Sequence, residues 1–214
     1  MLPHEGQPVV AAGAPLGRAP VAIMVHGRNA APANILDLAR RFERPDVTYL
    51  APTAAGRTWY PHSFMADAAD NEPGVSSGIA VLASMVARVE AAGIPRSRVV
   101  LAGFSQGACL VAEFAIRHAA RFGGLLIFSG GAIGPPGTTW SADGHFGGTP
   151  VFLGCSDVDA HVPESRVRET AGVFTRLGAR VTLRIYPGMG HLVNEDEIAS
   201  ARLMIDEVAA DTGA

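Results

Sequence analysis

The chain has 214 residues, of which 48% are hydrophobic, and a formal net charge of −3. A chain of this length is most simply one domain over 1–214 that buries roughly 70% of the surface exposed by its unfolded form. Because the sequence contains no basic run or stripe, nucleic acid and anionic membrane surfaces are excluded as expected partners.

Short β-rich apolar runs alternate along the chain with longer segments of helical periodicity. This alternation predicts right-handed crossovers and an α/β fold with a mostly parallel central sheet and helices on both faces. In chain order the predicted elements are strands at 20–27 and 47–52, a helix at 78–93, a strand at 98–103, a helix at 106–119, strands at 124–130 and 150–155, a helix at 164–178, a strand at 180–187 and a helix at 194–210.

Two long loops, at 52–74 and 130–148, each follow a predicted strand. Functional sites of open α/β sheets gather in the loops beyond the carboxyl ends of the strands. Both loops are therefore candidates for the walls of a site.

The cysteines and the N-terminal segment bear on the cellular compartment. The two cysteines, Cys109 and Cys155, are too few for a disulfide framework, which favours a reducing environment. The first ten residues lack the basic and apolar regions of a signal peptide, and no uninterrupted apolar run approaches the ~20 residues of a membrane span. We therefore expect a cytoplasmic protein with no stable membrane association.

A Gly-x-Ser-x-Gly motif, GFSQG at 103–107, follows one predicted strand directly and opens the next helix, with Ser105 at its centre. This context is that of a nucleophile elbow, a strained strand-to-helix turn that exposes the serine. Larger side chains at either glycine would collide with neighbouring backbone, and the helix start directs free N–H groups at the place where an oxyanion would form. The alternative is a tightly packed turn with no catalytic task.

A serine hydroxyl is a poor nucleophile unless a neighbouring base takes its proton. Of the seven histidines, His191 is the best candidate, because it follows the last predicted strand in a turn with two glycines and precedes the last helix. The chain order serine, acid, histidine is that of the α/β-hydrolases. A solvent-exposed loop histidine is the better interpretation of His4, His118 and His145.

An imidazole base needs an acceptor on its other nitrogen to fix its tautomer and to stabilise the imidazolium. That acceptor should lie between the serine and the histidine, just after a strand, and GCSDVDAHVP at 154–163 is the only such segment. Asp157 and Asp159 both qualify, and their spacing does not separate them, while Asp143 is a weaker third candidate. A metal site is disfavoured there, since the segment has neither Cys-x-x-Cys nor His-Glu-x-x-His.

These motifs together resemble the phospholipase/carboxylesterase family of α/β-hydrolases, the small lidless serine esterases that include the acyl-protein thioesterases. The Arg in the HGR turn is most similar to the bacterial branch. The resemblance implies the α/β-hydrolase fold with no large cap domain, and we expect no cofactor and no metal. It covers nearly the whole chain through VHGRNA (25–30), TWY (58–60), SSGIAVL (76–82), AAGIPRSRVVLAGFSQGACL (91–110), SDVDAHVP (156–163) and GMGH (188–191).

The resemblance also assigns residues to roles. The acid of the family precedes an x-x-Val-Pro tail, here at 162–163, which selects Asp159 and leaves Asp157 as a supporting carboxylate. The oxyanion hole is implied at the backbone N–H groups of Arg28 and Gln106. The side chain of Arg28 is predicted to lie either at the mouth of the cleft or in solvent.

Two departures from the thioesterase branch concern the acyl pocket. That branch reads His-Gly-x-Gly-Asp and Trp-Phe-Asp where this chain has HGRNA at 26–30 and WYP at 59–61, so a preference for long acyl chains does not carry over. An apolar cluster in the loop at 52–74 is the candidate substrate pocket, although it would equally serve to anchor its own loop. Its members are Trp59, Tyr60, Phe64 and Met65.

Other reactive side chains have simpler interpretations. Cys109 and Cys155 are expected to pack as small hydrophobic residues, His161 to lie on the surface, and His26 to support the turn that it begins.

The predicted function is a serine carboxylesterase that hydrolyses small or short-chain carboxylic esters. Ser105 attacks, His191 shuttles the proton, Asp159 orients His191, and water resolves the acyl-enzyme. The alternatives are an acyl thioesterase or lysophospholipase and, outside the enzymes, a catalytically idle α/β-hydrolase used as a binding module. The expected partner is a small-molecule ester.

Overall fold

A single mixed sheet forms the centre of the computed structural model, which describes residues 2–17 and 19–210. The sheet order is β1-β3-β2-β4-β5-β6-β7, in which β1 runs antiparallel to β3 and the other neighbouring strands are parallel. The mostly parallel sheet predicted from the sequence is therefore confirmed. Its strands are β1 Val9–Gly13, β2 Val21–Val25, β3 Thr48–Pro52, β4 Val99–Phe104, β5 Gly124–Phe128, β6 Pro150–Ser156 and β7 Arg180–Tyr186.

Helices cover both faces of the sheet, as the alternating pattern predicts. α1 and α5 pack on one face, and α2, α3 and α4 pack on the other. Over the described ranges no cap domain rises above the sheet. The helices are α1 Pro32–Arg40, α2 Gly74–Ala91, α3 Gln106–Arg117, α4 Glu164–Arg176 and α5 Glu195–Ala210.

The central strands are buried along their whole length because helices cover both of their faces. Side chains alternate across each strand, so Val21 and Ile23 of β2 pack toward α2, α3 and α4 while Ala22 and Met24 pack toward α1 and α5. The near-continuous apolar runs in the sequence are the consequence of this double coverage.

Two elements were not predicted, and one begins earlier than expected. β1 is an exposed edge strand and α1 has nine residues, so neither carries a strong periodic signal. α2 begins at Gly74 and packs closely on α3. The closeness is seen at Gly78, where a Cβ would lie only 2.7 Å from a methyl group of Leu110. By length and composition alone α2 would also suffice to cross a membrane, but half of it is buried inside the protein, as in a core helix.

A buried carboxyl lies where α5 meets the sheet. The side chain and backbone of Asn194 and Glu197 bond reciprocally at the start of α5, at 2.8 and 2.9 Å, in a capping-box arrangement. The second carboxyl oxygen of Glu197 is buried against Gly154 of β6 and has no hydrogen-bond partner among the described residues. Burial is the main cause that raises the pKa of Glu197, to about 7.

Candidate active site

Ser105 occupies a strained turn between β4 and α3, as the nucleophile-elbow motif predicts. Its φ of 55° and ψ of −123° are unfavourable for a residue with a side chain, and its N–H donates to the Phe128 carbonyl at 3.0 Å. A Cβ at Gly103 would lie 2.5 Å from the carbonyl carbon of Gly107, and a Cβ at Gly107 would collide with the Val25 carbonyl oxygen. Both glycines of the motif are therefore required by the surrounding backbone.

A continuous hydrogen-bonded chain links the three side chains that the sequence singles out. Nε2 of His191 lies 2.8 Å from Oγ of Ser105, and Nδ1 of His191 lies 2.7 Å from Oδ2 of Asp159. Since an ionised carboxylate only accepts, Nδ1 carries the proton and Nε2 is free to accept the serine hydroxyl. This is the arrangement that a serine nucleophile and an imidazole base require.

The side chain of Asp159 has no exposed surface and remains a carboxylate. Burial alone would raise its pKa, but the hydrogen bond from His191 and those from the N–H groups of His161 and Val162, at 2.8 and 3.0 Å, lower the pKa of Asp159 overall. Val162 of the x-x-Val-Pro tail thus donates its backbone N–H to the Asp159 carboxylate.

Asp157 contacts the turn that carries the histidine, not the histidine itself. Its Oδ1 accepts the N–H of Gly188 at 2.8 Å, while Oγ of Ser156 accepts the N–H of Gly190 at 3.0 Å. Both glycines have positive φ, 65° and 79°, which glycine adopts without strain. Asp157 and Ser156 thus fix the turn before His191, and the sequence gives no signal for Ser156.

Arg28 and Gln106, at whose backbone N–H groups the resemblance places the oxyanion hole, line the same cavity as Ser105. Among the described residues, neither N–H donates to a protein acceptor. The side chain of Arg28 lies at the mouth of the cleft and donates to the carbonyl oxygens of Pro61 and His62 at 2.7 and 2.5 Å. It thereby joins the turn after β2 to the loop at 52–74.

The side chain of Gln106 has a role that the sequence analysis missed. Its Oε1 accepts from the N–H of Trp59 at 2.9 Å and from the hydroxyl of Thr58 at 3.2 Å, and its Nε2 donates to the Tyr60 carbonyl at 2.7 Å. The amide is buried and all these partners lie in one loop. Gln106 therefore positions the loop at 52–74 relative to the elbow.

A cavity of about 450 Å³ opens above Ser105, and we call it the active-site cavity. Of the four residues predicted to form the substrate pocket, Tyr60 and Phe64 line this cavity, whereas Trp59 and Met65 do not. Trp59 is fully buried, with its Nε1 donating to the His26 carbonyl at 2.9 Å, and Met65 is partly buried and packs against the hydrophobic core. The active-site cavity is lined by Gly27, Arg28, Asn29, Ala30, Tyr60, Ser63, Phe64, Phe104, Ser105, Gln106, Cys109, His161, Val162 and His191.

The loop at 130–148 does not border the active-site cavity. Part of it, from Ile133 to Ser141, lines a separate depression beside Glu113 and Arg117 of α3. Of the two loops predicted as walls, the structure thus brings only the loop at 52–74 to the site.

Comparison with known proteins identifies the family. The family model described as Phospholipase/Carboxylesterase matches residues 14–209. The chain belongs to this family. The prediction of the phospholipase/carboxylesterase family is thereby confirmed.

Two similar proteins agree with that assignment. Acyl-protein thioesterase 1 from Eremothecium gossypii is 30% identical over 159 residues, which are 70% of this chain and 64% of that protein, so the match spans less than two thirds of the thioesterase. The phospholipase/carboxylesterase structure from Dyadobacter fermentans is 37% identical, with a TM-score of 0.89, and covers 94% of this chain and 96% of its own.

A more distant structure, that of esterase PE8, shares the fold at 22% identity. Its TM-score is 0.75, over 94% of this chain and 98% of that one. The fold of the chain is therefore the α/β-hydrolase fold, as the resemblance implied.

Histidines other than His191 do not complete a second catalytic group in this family member. His4 is buried, contrary to expectation, between the Trp59 carbonyl at 2.9 Å and the Ala55 N–H at 3.1 Å. His26 is buried too, and burial lowers its pKa, so the neutral ring supports the turn after β2. His161 is exposed, with its ring 4.8 Å from that of His191.

Both cysteines are buried and unpaired, as predicted. Burial raises the pKa of Cys109 and of Cys155 to about 12, so both stay protonated at neutral pH and are poor nucleophiles. Across the described residues, no cluster of three or more His, Cys, Asp and Glu side chains is placed to hold a metal ion.

Proposed function

We propose that this chain is a serine carboxylesterase whose catalytic triad is Ser105, His191 and Asp159. The observation that carries the proposal is the Asp159–His191–Ser105 hydrogen-bond chain, at 2.7 and 2.8 Å, ending on a strained elbow. A binding module has no use for a serine held in an unfavourable conformation against a correctly protonated imidazole. The same three groups account for both halves of ester hydrolysis.

In the first half-reaction, Oγ of Ser105 attacks the ester carbonyl carbon while Nε2 of His191 takes the hydroxyl proton. Negative charge develops on the carbonyl oxygen, and the N–H groups of Arg28 and Gln106 stabilise it. The imidazolium, stabilised by Asp159, returns the proton to the leaving-group oxygen. The carbon–oxygen bond breaks and an acyl-enzyme remains.

In the second half-reaction, water replaces the alcohol next to His191. Nε2 takes a proton from water as the water oxygen attacks the acyl carbon, and the same two N–H groups stabilise the second oxyanion. Collapse of this intermediate breaks the bond to Ser105, and the proton on Nε2 passes to the serine oxygen. The products are the carboxylic acid and the free enzyme.

The proposed substrates are small-molecule esters with short acyl chains. The active-site cavity is compact, and the buried rings of Tyr60 and Phe64 bound it on the loop side. The second candidate is an acyl thioesterase or lysophospholipase, and it is favoured by the similarity to acyl-protein thioesterase 1 of Eremothecium gossypii. The two buried, unpaired cysteines support a reducing, cytoplasmic location.

The test of the proposed function is the burst of p-nitrophenol from p-nitrophenyl acetate. The wild-type chain is expected to release about one equivalent rapidly, and Ser105→Ala to release none, since no acyl-enzyme forms. Ser63→Ala is the matched control, because Ser63 lines the same cavity without contacting His191, and it should keep the burst. A burst in Ser105→Ala, or none in the wild type, contradicts the mechanism.

A chain-length series of p-nitrophenyl esters and matched S-acyl thioesters separates the substrate classes. For the proposed carboxylesterase, kcat/KM is highest with acyl chains of a few carbons and higher for oxygen esters than for thioesters. A maximum at twelve carbons or more, or a consistent preference for thioesters, identifies the second candidate instead.

A further inference from the structure

A second cavity of about 440 Å³ adjoins the active-site cavity, and we call it the α1 groove. The two cavities share four residues, Gly27, Ala30, Phe104 and His191. The groove therefore begins at His191, the histidine of the proposed triad. The groove then runs between α1 and the segment that follows His191. Its volume is within the range of small-ligand sites in proteins.

The α1 groove touches His191 but none of the groups that bind the reacting carbonyl. Ser105, Arg28 and Gln106 line only the active-site cavity. During acylation the carbonyl carbon is bonded to Ser105 and its oxygen faces the two N–H groups, so the acyl half occupies the active-site cavity. The leaving-group oxygen takes its proton from Nε2 of His191, and because His191 lines both cavities, a leaving group held at this residue lies next to the start of the α1 groove.

The walls of the α1 groove are mainly apolar. Ile35 and Leu38 come from α1, and Leu192 and Val193 from the segment after His191. Leu192 is 46% exposed, one of few large apolar side chains with so much contact with water. An apolar group lying in the groove would cover it, which is favourable in proportion to the area removed from water.

The charged groups at the groove are already paired with other side chains. Asp37 pairs with Arg40 of the same helix, and Arg41 pairs with Glu195 at 2.6 Å. Asp37 and Arg41 also carry opposite charges, so together they give the groove no net charge that would select a charged alcohol. The groove is therefore suited to an uncharged group.

We propose that the α1 groove binds the alcohol half of the ester, and that this half is an apolar alkyl chain or aromatic ring. This inference rests on the proposed function and adds to it the chemistry of the leaving group. The enzyme would then select esters by a short acyl half and a larger apolar alcohol half, which occupy different cavities.

The test varies one half of the substrate at a time. In one series the acyl group stays acetyl and the alcohol lengthens from ethyl to butyl and hexyl; in the other, methyl esters lengthen in the acyl chain from acetate to hexanoate. Each fully buried methylene is worth about a fourfold gain in binding, so the wild type should prefer hexyl over ethyl acetate by about tenfold or more, even if the chain is only half-buried.

Leu38→Trp fills the α1 groove from the half-buried face of α1. It is expected to lower kcat/KM for hexyl acetate at least tenfold while changing ethyl acetate and methyl hexanoate less than twofold. Hydrolysis of the acetyl-enzyme, measured as the steady rate after the p-nitrophenyl acetate burst, should stay unchanged because the alcohol has already left.

Leu192→Ser removes part of the apolar wall without filling the groove. It should therefore also reduce the preference in kcat/KM for hexyl acetate over ethyl acetate. Leu203→Ser is its control, since Leu203 is 65% exposed on α5 and away from both cavities, and its alcohol series should match the wild type. Thermal unfolding of each variant checks that the fold is retained.

The outcomes separate the two proposals. If the loss in Leu38→Trp follows the acyl chain, the α1 groove holds the acyl half and the assignment is overturned. If neither Leu38→Trp nor Leu192→Ser alters either series, the groove is not a substrate site. If the wild type shows no burst with p-nitrophenyl acetate, the proposed function itself has failed, whatever the groove does.

Discussion

Replacing the Glu197 carboxyl with an amide is expected to abolish a pH dependence of the fold's stability. Burial of Glu197 raises its pKa from the ordinary 4.5 to about 7. Between these values the folded state keeps a proton that the unfolded chain has lost, so the wild type loses stability as pH rises through this window. Glu197→Gln keeps the capping interactions with Asn194 but carries no proton to lose.

The magnitude follows from the size of the pKa shift. One pKa unit corresponds to about 1.36 kcal/mol, so the full shift at Glu197 corresponds to about 3 kcal/mol, of which about 2–3 kcal/mol falls between pH 5 and 8. The neighbouring charge of Asp196 acts in the same direction as burial. Tyr186 and Cys155, which also interact with Glu197, have pKa values raised well above this window and do not titrate in it.

The assay is urea unfolding of the wild type and Glu197→Gln at several pH values from 5 to 8, at constant ionic strength. In the difference between the two unfolding free energies, the titration of all other groups cancels. From pH 5 to pH 8 this difference should change by about 2–3 kcal/mol in favour of Glu197→Gln. Glu207→Gln is the control, because Glu207 is on the same helix and is 67% exposed. A difference that stays flat with pH for Glu197→Gln, or that grows equally for Glu207→Gln, refutes the argument.

Three further predictions concern the elbow and the triad. Asp159→Asn should lower kcat for ester hydrolysis about 10⁴-fold, because the imidazole of His191 takes the wrong tautomer. Asp157→Asn should lower kcat less than about tenfold, because its amide oxygen can still accept from the turn before His191. The reverse order of losses would show that the wrong acid has been named. Gly107→Ala should destabilise the protein by about 3 kcal/mol, because its Cβ would collide with backbone atoms, and so lower its melting temperature by about 6–12 °C. Gly17→Ala, which has open space around its Cβ, should melt within about 2 °C of the wild type. Gln106→Leu should destabilise the fold by about 1–3 kcal/mol, because the loop at 52–74 loses its hydrogen bonds to the amide. It should raise KM for p-nitrophenyl acetate more than it lowers kcat, since the backbone N–H remains. Unchanged urea unfolding and an unchanged KM would contradict this.

The sheet and the hydrogen-bonded chain were predictable because local rules govern them. Strands buried on both faces read as apolar runs, and an elbow needs glycines on either side of Ser105 for steric reasons that the sequence displays. Chain order then limited the base to His191 and the acid to two aspartates. The resemblance, not the spacing, separated Asp159 from Asp157, and the separation depends on a turn thirty residues away that no local rule describes.

The walls of the site were only partly predictable because they depend on contacts between distant segments. Trp59 and Tyr60 are adjacent aromatic residues in the sequence, yet only Tyr60 borders the cavity, because the indole N–H of Trp59 reaches the His26 carbonyl. Met65 of the same loop packs against the core and is not part of the cavity lining. The α1 groove was invisible for the same reason, since α1 itself gave only a weak signal and the wall opposite it follows His191.

Gln106 contributes its backbone to one part of the site and its side chain to another. The N–H belongs to the start of α3 beside Ser105, and the amide bonds to Thr58, Trp59 and Tyr60 of the loop that borders the cavity. Grafting a foreign loop at these positions to change the acyl preference would therefore also disturb the residue that we propose as an oxyanion donor. Substrate range and rate are therefore coupled through one residue, and a graft that preserves the three hydrogen bonds of the Gln106 amide, two to backbone and one to the Thr58 hydroxyl, is expected to keep both.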